Sequence, residues 1–237
     1  MSPGRRDLLG RLPGSDIRSR IARGACRALC VGALAAAGHS SHAYDVTLTP
    51  AAPKMIYFQV GNGLFTGGNY TPIQANGQPS GTPGVNTTIN KVTVSVAAGV
   101  VGNSAAQAMT TDSAAANSYW DGFPFCNLPA QLYIGGFYRT TGAGTNTATV
   151  TATLPASLTD ATGDTIPFSQ ISWTSGGNAD TGAEPFPAGS FNATTLGVGS
   201  ISQNHWAESC WTFSYANTVV PAAGTYTGRV TYTLSAP

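Results

Sequence analysis

Apolar and polar positions alternate along much of this chain with a period of two, the spacing of a half-buried β-strand. From Tyr226 to Ser235 the residues read Tyr-Thr-Gly-Arg-Val-Thr-Tyr-Thr-Leu-Ser, which puts Val230, Tyr232 and Leu234 on one face and Arg229, Thr231 and Thr233 on the other. The same alternation carries Val46 and Leu48 near residue 45, Val92, Val94 and Val96 after Lys91, and Ala148, Val150, Ala152 and Leu154 after Thr147. Strands are also expected over 55 to 60, 131 to 138, 166 to 173 and 209 to 215. Gly-, Pro- and Asn-rich loops are expected over 61 to 90, 139 to 146, 174 to 190 and 217 to 224. The stretch 103 to 118 is rich in Ala but broken by Asn103, Thr110, Thr111, Asp112 and Asn117, so it reads as loop with a helical turn. Eight to ten short strands without repeating helices predict an all-β chain, a single β-sandwich of immunoglobulin-like or jelly-roll-like type, with an incompletely closed barrel as the competing architecture.

Composition agrees with that pattern. The chain is rich in Thr, whose branched Cβ, like that of Val, suits a pleated surface, and poor in the long straight side chains that helices prefer. Charged residues make up only 9% of the 237 positions, too few for a coiled coil or a charge-laced bundle.

The charge is also unevenly placed. Seven of the eleven basic residues precede residue 28. They lead into the apolar run Ala28 to Ala37 and the small-residue step Ser41-His42-Ala43, the layout of a signal peptide cleaved after Ala43. Residues 1–43 are therefore read as a leader and 44–237 as one domain. The apolar run is about half the length a membrane-crossing helix needs, so no mature membrane span is expected. Beyond the leader, four basic residues face eight acidic ones, a net charge of −4. Such a surface offers no cationic footprint for a phosphate backbone, and nucleic acid is not an expected partner. The expected address is the periplasm, the cell surface or the exterior.

Two cysteines remain after the leader, Cys126 and Cys210, in a chain bound for an oxidising compartment. One disulfide between them is the direct reading.

Few residues are available for chemistry. His205 is the one histidine beyond the leader, and no Gly-x-Ser-x-Gly elbow accompanies it. Zinc would need more His and Cys than the chain holds, and no cofactor is expected. Asp160 and Asp164 stand in the glycine-containing turn Asp160-Ala161-Thr162-Gly163-Asp164-Thr165, a weak calcium candidate without the remaining EF-hand ligands. Trp120 and Asp121, with Trp206 and Glu208, pair an aromatic face with a carboxylate, the combination that stacks on a sugar ring and accepts its hydroxyls. They are the candidate glycan-binding residues, and with Asp112 their carboxylates are the acids available for a glycosidase pair. Against this stands the ordinary use of tryptophan as core filling in a small β-protein.

The C-terminal half resembles a group of uncharacterised exported bacterial β-rich proteins. The resemblance runs through Ile166-Pro167-Phe168-Ser169-Gln170-Ile171-Ser172-Trp173-Thr174-Ser175, through Phe213-Ser214-Tyr215-Ala216-Asn217, and through Ala223 to Pro237. It implies export and a β-rich fold and carries no activity. The closing Gly224-Thr225-Tyr226 with its alternating strand also resembles the last strand of pilin-related and spore-coat-like secreted domains, from which the pairing of residue 126 with residue 210 departs. The resulting expectation is a non-enzymatic exported protein of cell-surface structure, adhesion or extracellular interaction. Its alternatives are a carbohydrate-binding or carbohydrate-hydrolysing protein, and a self-assembling pilus or coat subunit. The expected partners are a glycan, a surface protein or a second copy. Thr-rich strands with few charged gatekeepers leave an exposed edge open to strand addition.

Overall fold

The computed structural model describes residues 45–71 and 79–237, which belong to one compact unit, Ser41–Pro237. The expected leader, residues 1–43, lies outside the described residues. The unit is all-β. The main strands of its two larger sheets are β1 (Asp45–Thr47), β2 (Met55–Val60), β3 (Leu132–Arg139), β4 (Thr147–Thr153), β5 (Ile171–Gly176), β6 (Thr195–Ser202), β7 (His205–Tyr215) and β8 (Thr231–Ser235). No described helix is long and apolar enough to cross a membrane.

Eleven-residue β7 is the spine of the larger sheet, whose order is Gly189–Ser190, β5, β7, β3, β2. Its first half pairs with β3, from His205 opposite Tyr138 to Ser209 opposite Ile134. Its second half pairs with β5, from Cys210 opposite Gly176 to Tyr215 opposite Ile171. Strand β1 adds to the first half, with Val46 opposite Trp206, and Gln107–Ala108 adds to the far end. The segment after residue 44 is thus a strand of its own sheet. The smaller sheet has the order β6, β4, β8, all antiparallel.

Side-chain alternation divides the larger sheet into two covered faces. Leu132, Ile134 and Tyr138 of β3, with Ala207, Trp211, Phe213 and Tyr215 of β7, enter one apolar cluster with Ala148, Val150 and Ala152 of β4 and Val198 and Ile201 of β6. The intervening residues point to the back. There Phe137 and Trp206 pack with Leu48 and Tyr70, while Tyr133 and Cys210 pack with Ala115, Phe125 and Cys126. The cover of the back face comes from the long connection between β2 and β3. Every residue of β3 is consequently buried. Gly136 lets β2 approach that closely, since a Cβ there would collide with the carbonyl oxygen of Tyr57 and lie 2.9 Å from the Cα of Phe58.

The expected disulfide forms. Cys126 and Cys210 are bridged across 84 positions with their Cα atoms 5.6 Å apart, at the point where β7 exchanges β3 for β5 as its partner.

Three expectations are corrected locally. The strand expected over 166 to 173 is interrupted after Pro167 by a 3-10 turn, Phe168–Gln170, before β5 begins. The stretch 103 to 118 contains the short strands Gln107–Ala108 and Thr110–Thr111, with the 3-10 turn lying earlier at Ala98–Val100. Strand β6 falls where no strand was expected.

Candidate functional site

Among the described residues, the back face around β1, β3 and β7 and the open edge at β8 offer more than packing.

On the back face, the four glycan-binding candidates do not assemble into an exposed platform. Alternation on β7 turns both Trp206 and Glu208 inward, where they are 0% and 3% exposed. Trp206 stacks on Tyr70 at 5.4 Å and on Phe137 at 5.9 Å. Half-buried Trp120 lies over it at 6.1 Å, and Asp121 is exposed in the covering loop, its Oδ1 accepting the Phe123 N–H at 2.9 Å.

Glu208 accepts hydrogen bonds from the Tyr133 hydroxyl at 2.7 Å and from the Trp206 indole N–H at 3.0 Å, both on Oε2. Burial pushes its pKa up from 4.5 to about 7, against the pull of hydrogen bonds from Tyr133, Trp206 and Ser118 and with a further push from the charge of Asp121. The Tyr133 hydroxyl is driven upward in turn, first by burial and then by the neighbouring carboxylate. The arrangement is a hydrogen-bonded post inside the protein, and its oxygens are closed off from any sugar.

The other acids have local duties. Asp45 Oδ1 meets His205 Nδ1 at 2.6 Å, which ties β1 to β7 by side chain as well as by backbone. The Glu184 carboxylate accepts from Ser209 Oγ at 2.8 Å, and burial raises its pKa. Burial, reinforced by the charge of Glu184, raises Asp180 to about 7. In the calcium-candidate turn, Asp160 Oδ1 accepts the backbone N–H groups of Thr162 and Asp164 at 3.0 and 2.8 Å, and the Thr162 hydroxyl bonds to both carboxylates. Asp160 and Asp164 thus close their own turn. Among the described residues no group of three or more His, Cys, Asp or Glu is placed to hold a metal ion.

One residue absent from the sequence reading stands out on this face. Arg139, the last residue of β3, is only 4% exposed. Its Nε donates to the Thr49 carbonyl at 2.6 Å and its Nη1 reaches the Tyr70 hydroxyl at 3.4 Å. It lines a cavity of about 100 Å³ together with Tyr70, Trp120, Thr47 and Thr49. A single arginine at the end of an apolar run has no spacing signature. The only signal was its position in a strand whose other members are apolar or glycine.

The open edge is built from residues whose alternation was legible. Strand β8 pairs with β4 on one side, Thr233 opposite Thr151, and no described strand pairs with its other side. Its inward row Tyr232 and Leu234, continued by Val230 and Ala236, is only half-buried against the main core. Val92, Val94 and Val96 form a second alternating half-buried row against the same core, yet only Val92–Thr93 belongs to a ladder, with Thr110–Thr111. Strand β2 is likewise an edge, with Ile56 exposed, and Lys54 Nζ donates to the Pro237 carbonyl at 2.7 Å beside it.

Compared with known proteins, the chain matches no family model, and neither a curated protein nor a solved structure matches it significantly. The functional reading therefore rests on these two places alone.

Proposed function

We propose that this chain is a non-enzymatic, exported β-sandwich protein of the cell surface or extracellular space that works by accepting an extended strand at its C-terminal edge. The observation that carries the reading is the edge itself. A strand with one hydrogen-bonded neighbour, Thr231–Ser235, presents an edge that no described strand pairs, with the half-buried row Val230, Tyr232 and Leu234 along it. An incoming strand would gain main-chain hydrogen bonds from that edge and apolar burial against that row, which is how strand addition obtains affinity. Within the strand Thr231, Thr233 and Ser235 are neutral and no Pro occurs, so neither a charge nor a Pro guards the edge there. The inward acids support the same reading, because Glu208 and its partners are engaged within the protein. The two sheets, sharing one core, act in this reading as the layers of a single sandwich.

A second copy of the chain is the partner to test first. Light scattering over a wide concentration range is expected to give a mass that rises with concentration. Thr233→Lys, which places a charge at an exposed position of the edge strand itself, is expected to hold the protein monomeric with its near-ultraviolet circular dichroism unchanged. A wild-type monomer at every concentration would overturn the self-association form of this reading.

A further inference from the structure

Arginine carries five N–H donors and is seldom buried without an anion, because removing its charge from water is costly unless a partner replaces the lost hydration. Arg139 is buried, and its recorded bonds are one good one, to the Thr49 carbonyl, and one long one, to the Tyr70 hydroxyl. The one contact within 4 Å between acidic and basic side chains among the described residues is that of Asp45 with His205, two positions from Thr47 at the cavity wall. No described carboxylate therefore pairs with Arg139, and the guanidinium lines a cavity instead.

We propose that this cavity is a binding site for an acidic sugar, with Arg139 taking the carboxylate of a uronic acid and Trp120 lying against the ring. Each part of the assignment follows from the lining. The guanidinium fork matches a carboxylate in two parallel N–H to oxygen bonds, a geometry that a lysine could not supply. Tyr70 stands beside it with a hydroxyl whose pKa burial raises, so it is a neutral donor for the same anion at neutral pH. Trp120 is half-buried, leaving an aromatic surface accessible at the cavity, the usual support for the apolar face of a pyranose. Thr47 and Thr49 are exposed at the rim and bring hydroxyls suited to those of a sugar.

The lining also says what the ligand is not. None of the described residues lining the cavity is acidic, so the ammonium of an amino acid would find no counter-charge among them, whereas a uronate carries only hydroxyls beside its carboxylate. A volume of about 100 Å³ admits the carboxylate and one edge of a ring, which fits the end residue of an acidic glycan. The site is separate from the strand-accepting edge, and its failure would leave the oligomer experiment untouched.

The test is a titration of the protein with glucuronate, glucose, acetate and alanine, followed by heteronuclear NMR of the Trp120 indole and the Arg139 Nε–H. Glucuronate is expected to shift both signals saturably in the millimolar range. Glucose lacks the anion, acetate lacks the ring and alanine carries the unmatched ammonium, and each is expected to bind at least tenfold more weakly. Arg139→Gln is expected to weaken glucuronate at least tenfold. Trp120→Ala, a change at a half-buried position that leaves β3 intact, is expected to weaken glucuronate severalfold while leaving acetate unaffected. No saturable response to glucuronate would overturn the proposal. So would glucose or acetate binding as well as glucuronate, or a folded Arg139→Gln variant that binds glucuronate like the wild type.

Discussion

Replacing Glu208 by Gln is expected to make this protein more stable at alkaline pH and to leave it unchanged in mild acid. In the folded state the Glu208 carboxyl holds its proton up to about pH 7, against 4.5 for the free group. The folded chain thus binds a proton that the unfolded chain has released, and stability falls as the pH rises from the lower value to the higher. Integrated over that interval, the loss is about 3 kcal/mol. Gln copies the protonated acid: its carbonyl can accept from Tyr133 and Trp206 as Oε2 does, and its amide can donate to the Ser118 hydroxyl. Urea unfolding of both proteins at pH 4 and pH 8.5, with the disulfide intact, checks the sign and the size. The variant should match the wild type at pH 4 and exceed it by about 3 kcal/mol at pH 8.5, or roughly 6 to 12 °C in Tm for a domain of this size. Asp180 titrates over a similar range in both proteins and cancels in the difference. A difference that does not change with pH, or a wild type that gains stability toward pH 8.5 relative to the variant, would refute the account of Glu208 as a buried, proton-holding acid.

Two further outcomes test the frame that holds these sites. Removing the bridge with Cys126→Ala and Cys210→Ala should lower stability by roughly 4 to 5 kcal/mol on the chain-entropy scale for a loop of 84 positions, read from denaturant midpoints of the oxidised wild type and the double variant. Asn217 is fully buried at φ 55°, and its side chain accepts from the Gly102 N–H and donates to the Val100 carbonyl and to Asn103 Oδ1. Asn217→Ala leaves those groups unpaired and should cost about 2 to 3 kcal/mol, measured by thermal unfolding, with Asn217→Asp recovering only the bond from Gly102.

Strands that face a core on one side only were legible in the sequence, and those buried on both sides were legible only in part. The β4 and β8 alternations survive because Thr residues occupy the outer face of each. Strand β7 was expected from residue 209, but it begins at His205, because Trp206 and Glu208 belong to a back face that is also covered and the alternation is lost there. The same cover made Trp206 and Glu208 look like a site in the sequence while the fold uses them as packing. Strand β6 was hidden by a bulge between Gly197 and Gly199, which moves the inward row from Val198 to Ile201 and breaks the period of two. The cysteine pair was legible because only two remained to be joined. The Arg139 cavity was not, since its parts come from β1, β3 and two stretches of the β2–β3 connection, and no local spacing brings them together.

The placement of the bridge has a mechanical meaning. Because Cys126 and Cys210 are joined, a force applied to the two ends of the chain bypasses everything between them: β3, β4, β5, β6 and the first half of β7. Only β1, β2, the end of β7, β8 and the segments flanking them can be drawn out, and the covalent loop withholds about 280 to 300 Å of contour length from extension. In an oxidising compartment the centre of the molecule thus behaves as a knot that yields to reduction but not to pulling.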